Sequence, residues 1–125
     1  MVQVTPFLLL LNLALGAHSI SEEKCNLVGH WTNDLGSNMT IQALDKNGNF
    51  SGLYNTSVAS TPNKIKVSPL LGSQHLTDQP TFGFTVNWSF RDNITVFMGQ
   101  CFVDEDGKEV LKTMWLLRSH MDNQK

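Results

Sequence analysis

The most constraining feature of the sequence is a strict alternation of large apolar residues with small or polar ones between positions 81 and 90. One series consists of Phe82, Phe84, Val86, Trp88 and Phe90. A period of two residues is typical of a β-strand, because successive side chains point to opposite faces of a sheet. The segment therefore predicts a strand with an aromatic face turned toward a core.

The same period recurs along most of the chain, and helical spacing is almost absent. The dipeptides Asn47-Gly48 and Asp106-Gly107 predict tight hairpin turns, because both accept positive φ angles. Regular antiparallel strands with short turns favour an up-and-down barrel over a sandwich, an all-β fold in either case. We expect seven strands, near residues 28–34, 38–44, 49–56, 64–68, 81–90, 93–103 and 108–118.

Seven strands leave the barrel one strand short. In a meander the first and seventh strands run in the same direction, so closure requires a parallel pair or an eighth strand. Residues 120–125 are too short and too polar to supply it. We therefore expect seven of the eight strands, in a chain that ends one strand early.

An apolar run at residues 7–17 ends near small residues and predicts a signal peptide over residues 1–19. No Lys or Arg precedes the run, and a buried N-terminal strand or helix is the alternative. The run is shorter than the roughly 20 apolar residues that a spanning helix needs, which argues against an integral membrane protein. We expect a secreted protein with one domain over residues 20–119 and a divergent tail over 120–125.

Two cysteines, Cys25 and Cys101, remain after this leader. In a secreted chain they predict one disulfide, which adds roughly 4 kcal/mol of stability in the chain-entropy model. The formal net charge of −2 argues against nucleic acid and anionic membrane surfaces as partners.

The last two predicted strands carry apolar residues on both faces, although a closed barrel buries only its inside. This pattern predicts an oligomer interface or a second packed sheet, and the first is favoured because no other segment is left to cover the face. The outward series are Ile94, Val96, Met98 and Phe102 in one strand, and Val110, Met114 and Leu116 in the other.

No arrangement typical of an enzyme or a metal site is found. His30, His75 and His120 have no ligand-like spacing to one another or to carboxylates, and His18 lies in the leader. Residues 45–49 imitate the start of a calcium loop, but a hairpin turn explains them better. Residues 104–107 predict a solvated acidic turn. A small secreted hydrolase remains a remote alternative.

Polar residues recur on the inner faces of the predicted strands, beside aromatic ones. Buried polar groups cost roughly 1–3 kcal/mol each when unpaired, so a row of them needs partners. A small polar ligand would supply those partners; the alternative is that the groups bond one another or water. The set comprises Asn33, Ser37, Tyr54, Thr56, Asn93 and Thr95, beside Trp88, Phe90, Phe97 and Trp115.

Four tripeptides match the N-glycosylation pattern. The strand phase turns Asn38, Asn55 and Asn87 outward, where a glycan can be carried, and Asn93 inward. Chance matches that are never modified are the alternative.

Residues 24–41, 79–90, 95–102 and 107–119 closely resemble the avidin family. The resemblance implies an eight-stranded barrel that holds biotin without covalent attachment, a homotetramer, and a defensive role in sequestering the vitamin. It also implies the Cys25–Cys101 disulfide, a glycan on Asn38 and a place for Met114 in a subunit interface. Neither an enzymatic activity nor a cofactor other than the ligand is implied.

Carried over by position, the resemblance assigns three roles around biotin. Donors to the ureido oxygen are Asn33, Ser37 and Tyr54; other polar contacts are Thr56, Thr95, Ser60 and Thr61; the apolar box consists of Trp88, Phe97, Trp115 and, more peripherally, Phe90 and Leu117.

The chain departs from the family pattern in three places. Ala59 lacks a hydroxyl in the loop that closes over the ligand, and Arg91 and Asn93 stand where the family has small hydroxyl residues. Arg91 either pairs with the ligand carboxylate or points to solvent. The third departure is the missing eighth strand, which predicts as the alternative function a truncated form with weak or no biotin binding and impaired oligomerisation.

Overall fold

The computed structural model describes residues 2–9, 24–57 and 65–124. Eight strands form a closed barrel in which each strand pairs with the next. The strands are β1 (Val2–Leu9), β2 (Gly29–Asn33), β3 (Asn38–Leu44), β4 (Asn49–Ser57), β5 (Ile65–Gln74), β6 (Thr81–Asn87), β7 (Asn93–Val103) and β8 (Glu109–Ser119). Within these residues no helix is long and apolar enough to cross a membrane.

The expected up-and-down barrel is confirmed, but the expected count of seven strands is wrong. β1 pairs antiparallel with both β2 and β8 and so closes the sheet. It comes from the segment predicted as a signal peptide, and in the uncleaved chain it forms an N-terminal strand, the alternative named above, with Phe7 buried. Cleavage after Ser19 stays a prediction, since residues 10–19 lie outside the described part.

The other seven strands follow the predicted ones closely, with two differences. β5 extends to Gln74, beyond the predicted end at residue 68, because Pro69 is accommodated opposite Leu53 of β4. β6 ends at Asn87 rather than at residue 90, because the chain turns there toward β7. The aromatic alternation thus runs on into a loop, where Trp88 and Phe90 lie.

The hairpin between β3 and β4 explains the sequence that resembles a calcium loop. The Asp45 carboxylate accepts hydrogen bonds from the backbone N–H groups of Asn47 and Asn49, each at 2.8 Å. Both bonds lower the pKa of Asp45, and the bond from Asn49 has the larger effect. Gly48 supplies the positive φ of 89°. The turn at residues 104–107 is built in the same way, so both turn predictions are confirmed.

The barrel interior is filled by stacked aromatic rings. The rings of Phe82, Phe84 and Phe97 follow one another at 6.1 and 4.8 Å between centroids. The predicted disulfide is also part of the core and joins Cys25 to Cys101, with 5.7 Å between the two Cα atoms. The aromatic face read from the sequence therefore does face the core.

Two apolar patches remain on the outside of the barrel. The predicted patch on β7 and β8 is exposed, with Met98 and Met114 directly paired across the two strands. Val110 is the exception: it was predicted to face outward but is buried, because near the start of β8 both Val110 and Leu111 are covered. A second patch on β4 and β5 was not predicted and consists of Leu53, Val67 and Leu71. No second sheet among the described residues covers either patch.

Candidate ligand-binding site

The predicted site residues that the structure describes gather at one rim of the barrel. β2, β4, β6 and β8 end at this rim, while β3, β5 and β7 begin there, because neighbouring strands are antiparallel. The hairpin between β2 and β3 and the loop between β6 and β7 both lie at the same end. Residues far apart in the sequence are thus brought to one opening.

The β2–β3 hairpin fixes the side chain of Asn33. Its Oδ1 accepts hydrogen bonds from the backbone N–H groups of Leu35 and Ser37, both at 3.0 Å. Gly36 makes the turn possible with a φ of 85°. Because the amide oxygen is held by the turn, the Nδ2 group is the donor end that the side chain can offer to a ligand.

Tyr54 of β4 lies deep in the rim and is only 5% exposed. Its ring stacks on Phe97 at 5.5 Å and meets Trp88 edge-on at 5.4 Å. Burial raises the pKa of Tyr54 to about 12, although a hydrogen bond with the Ser37 side chain opposes the shift. The phenol therefore stays protonated, and remains able to donate, at neutral pH.

Trp88 and Thr95 are joined across the loop between β6 and β7. The Trp88 Nε1–H donates to Thr95 Oγ1 at 2.8 Å, and Thr95 is buried. A hydroxyl that accepts this bond still has its own proton to donate. The pair thus fixes an indole wall and presents one further donor.

The apolar wall continues into β8. Trp115 is paired with Phe97 in the strand register, and their ring centroids are 6.3 Å apart. Leu117, paired with Thr95, is half exposed nearer the rim. Polar and aromatic groups therefore alternate around the opening.

Ser68 positions the loop between β6 and β7, and it was not among the predicted site residues. Its buried Oγ accepts a hydrogen bond from the backbone N–H of Ser89 at 3.0 Å. In return, the Ser89 hydroxyl donates to the carbonyl of Val67 at 2.8 Å. An inward serine in a longer β5 would have been the signal. These bonds hold Trp88 and Phe90 on either side of Ser89.

The remaining predicted residues are less tightly held. Thr56 and Asn93 are partly buried, and Asn93 Oδ1 is buried without a hydrogen-bond partner. Arg91 is exposed, with its guanidinium 6.0 Å from the centroid of the Phe90 ring. Ser60 and Thr61 lie outside the described residues, as does Ala59.

The structure bears on both explanations for the polar rim. Ser37 with Tyr54, and Trp88 with Thr95, do bond one another, as the alternative to a ligand expects. Among the described residues, these bonds nevertheless leave the Asn33 Nδ2 group and the Thr95 hydroxyl proton as unused donors. Some of the polar groups at the rim therefore bond one another, while others remain available to a polar ligand.

The other candidate residues take ordinary structural places. His30 Nδ1 lies 3.0 Å from Thr40 Oγ1, and His120 lies beside exposed Asp92 and Asp122. His75 is an exposed loop residue. Within residues 2–9, 24–57 and 65–124, no group of three His, Cys, Asp or Glu side chains is placed to hold a metal ion.

The strand phase predicted for the glycosylation patterns agrees with the fold. Asn38 and Asn55 are outward neighbours on β3 and β4, and Asn87 is exposed at the end of β6. Asn93 points inward on the face of buried Thr95 and Phe97. Whether any of the four carries a glycan stays a prediction.

A closed antiparallel barrel with a polar and aromatic rim defines a class of protein, the small-ligand-holding β-barrel. Membership of this class does not identify the ligand. The geometry fits the class, because the interior is packed and the polar groups lie at one end.

Comparison with known proteins is more specific. The family model of the avidin family matches residues 21–125. Avidin of Gallus gallus is 60% identical over 119 residues, which cover 93% of this chain and 78% of avidin. Avidin-related protein 4/5 of Gallus gallus is 61% identical over 117 residues, with the same two coverages.

Solved structures agree. Xenavidin matches with a TM-score of 0.75 and 56% identity, over 81% of this chain and 85% of its own. A biotin-binding protein from chicken matches with a TM-score of 0.74 and 57% identity, over 82% of this chain and 85% of its own. The chain belongs to the avidin family.

Proposed function

We propose that this chain is a secreted protein that binds biotin non-covalently at the rim of its barrel and has no catalytic activity. The observation that carries the proposal is the cluster of Ser37, Tyr54, Trp88, Thr95 and Phe97, in which buried Tyr54, Thr95 and Phe97 join hydrogen-bonding groups to aromatic rings at one end of the barrel. Family membership and the similarity to the biotin-binding protein from chicken support the choice of ligand.

The donors suit a ureido group. A carbonyl oxygen in an aromatic, water-poor site is stabilised by fixed donors, in the way that an oxyanion hole stabilises its oxygen. The Asn33 amide is oriented by its own hairpin, and Tyr54 keeps its proton because burial raises its pKa to about 12. The Ser37 hydroxyl is the third proposed donor to the ligand oxygen, and it would exchange its bond with Tyr54 for one to the ligand.

The rest of the cluster suits the remainder of biotin. Trp88, Phe97 and Trp115 offer an apolar wall for the fused rings, while the free proton of the Thr95 hydroxyl suits the thioether sulfur. Thr56, Asn93, Arg91, Ser60 and Thr61 are the proposed polar contacts for the other ureido and carboxylate atoms. Phe90 and Leu117 complete the apolar edge.

A homotetramer is part of the proposal. Two separate apolar patches lie on the outside of the barrel, one with Met98 and Met114 and the other with Leu53, Val67 and Leu71. Contiguous exposed apolar surface is typical of an interface, and two different patches suit an assembly with two kinds of contact.

Secretion, glycosylation and vitamin sequestration complete the proposed role. The Cys25–Cys101 disulfide supports an oxidising compartment. Expression in cells that secrete and glycosylate proteins tests this part: a secreted product that loses mass after glycan removal is expected, and a product retained in the cytosol contradicts it.

Capture on immobilised biotin tests the ligand. The full chain is expected to bind the matrix and to elute with free biotin. The Trp88→Ala variant is expected to lose capture, whereas Gln42→Ala, an exposed change on β3, is expected to keep it. Equal capture of the two variants, or none by the folded parent, contradicts the proposal.

A further inference from the structure

The second outer patch, which consists of Leu53, Val67 and Leu71, lies in a part of the sheet without charged side chains. Leu53 is paired with exposed Pro69 of β5, and Leu71 is paired with Thr85 of β6. Over residues 51–55, 67–73 and 81–87, every outward position of β4, β5 and β6 is uncharged. Two copies of such a face can meet about a two-fold axis without opposing like charges.

The glycosylation pattern at Asn55 borders this patch on β4. Asn55 follows Leu53 on the outward face of the strand and is directly paired with Val67 of β5. Successive outward residues of one strand are about 7 Å apart, and the Cβ atoms of paired residues on adjacent strands are about 5 Å apart. A group attached to Asn55 therefore lies against both Leu53 and Val67.

The pattern at Asn87 borders the same patch from the side of β6. Asn87 is exposed and follows Thr85 on the outward face of that strand. Leu70 is paired with Val86, and the two strands are antiparallel, so Asn87 lies beside Pro69. The two patterns thus stand on opposite sides of β5, whose outward residues form the middle of the patch.

The side chain of Asn55 is only partly exposed in the single chain. Its Oδ1 atom is buried and has no hydrogen-bond partner. An N-glycan is attached through the other end of the amide, the Nδ2 atom, and leaves the backbone pairing of β4 intact. The fold is therefore compatible with a glycan at Asn55, and the strand register directs that glycan onto the patch.

We propose that glycans on Asn55 and Asn87 decide whether the β4–β6 face joins a second copy of the chain. The inference rests on the glycosylation and the tetramer proposed above. An N-glycan is bulky and solubilising, so a chain that carries one at either site cannot bring this patch against another copy. Each two-fold contact joins two copies, and the proposed tetramer needs two kinds of contact. Glycosylated chains therefore stop at a dimer joined through Met98 and Met114.

Comparison of glycoforms secreted from cells that attach N-glycans tests the proposal. Glycopeptide mass spectrometry identifies the occupied sites, and gel filtration with light scattering gives the size. Glycans at Asn55 or Asn87 are expected in the parent chain, and only in its dimer peak. The double variant Asn55→Gln, Asn87→Gln is expected to be a tetramer. Asn38→Gln, which removes a pattern one strand farther from the patch, is expected to leave the size unchanged.

The parent and the double variant refolded without glycans supply the baseline, and both are expected to be tetramers. An unglycosylated parent that is a dimer would contradict the proposed tetramer and this inference with it. With a tetrameric baseline, three results would overturn the inference alone: tetramers whose subunits carry a glycan at either site, a secreted parent with neither site occupied, or a secreted double variant that is still a dimer. Capture on immobilised biotin is measured separately and does not enter these results.

Discussion

The Trp88 indole donates its Nε1–H to the Thr95 hydroxyl at 2.8 Å, and this bond ties the loop between β6 and β7 to the first buried position of β7. The two residues are seven positions apart, on opposite sides of the loop. Because Thr95 is itself buried, the bond holds the Trp88 indole in place as an aromatic wall of the candidate site.

Replacement of Thr95 tests this relationship. Thr95→Val keeps the shape of the side chain but leaves the Trp88 N–H without its acceptor, so we expect a loss of about 1–3 kcal/mol in the free energy of unfolding. Thr95→Ser retains the hydroxyl and is expected to preserve the bond. Urea denaturation of the two variants beside the parent measures the difference; equal stability of Thr95→Val and the parent would show that the bond contributes nothing.

Tyr54→Phe tests the donor set of the ligand site. The substitution keeps the ring stacked on Phe97 but removes one donor from a desolvated carbonyl, so biotin affinity should fall by about 1–3 kcal/mol. Ser51→Ala, an exposed change on the same strand, serves as the control. An affinity of Tyr54→Phe equal to that of the control would place the phenol outside the ligand contacts.

The raised pKa of Tyr54 predicts its optical titration. Tyr54 is the one tyrosine of the chain, so tyrosinate absorbance reports this residue alone. Because burial disfavours the charged form, the folded protein should titrate near pH 12 rather than near the ordinary tyrosine pKa of 10. A midpoint close to 10 in a protein that is still folded would contradict the buried placement.

The same shift predicts how stability depends on alkaline pH. The unfolded chain loses the Tyr54 proton near pH 10 and the folded chain near 12, so the contribution of this pKa shift to stability is complete below pH 10 and is lost between the two values. The loss amounts to about 2–3 kcal/mol. Urea denaturation at pH 9 to 11 covers about half of this loss, about 1.4 kcal/mol, and Tyr54→Phe should show a smaller slope than the parent.

A charge on the β7–β8 patch should disrupt assembly. Met114 is 44% exposed and lies beside Met98 on the outer face, so Met114→Glu would place a carboxylate in the proposed subunit contact. We expect a smaller species by gel filtration with light scattering. Gln42→Glu, an exposed change on β3, should leave the size unchanged. A tetramer of unchanged size in Met114→Glu would show that this face is not a subunit contact.

The strands β2 to β8 and their inward faces could be predicted because alternation is local and strict there, and Gly48 and Gly107 mark the turns. β1 could not, because an uncharged apolar run suits a leader and a buried strand equally well. The end of β6 was placed three residues late, since the alternation of Trp88 and Phe90 continues into the loop.

The sequence predicted which residues belong to the candidate site, but not the hydrogen bonds between them. The resemblance to the avidin family supplied the residues, and the strand phase supplied the faces. The bond from Trp88 to Thr95 and the clamp of Ser68 on Ser89 depend on how loops meet strands in space. The second outer patch escaped prediction because the predicted strand 64–68 was too short to include Leu71.

Calorimetric titration of the full, refolded chain with biotin tests the central claim most directly. We predict saturable heat release with one biotin bound per chain, and a weaker titration for Tyr54→Phe at unchanged stoichiometry. A folded, disulfide-bonded chain that gives no saturable heat, and whose melting temperature does not rise with added biotin, would contradict a biotin site at this rim.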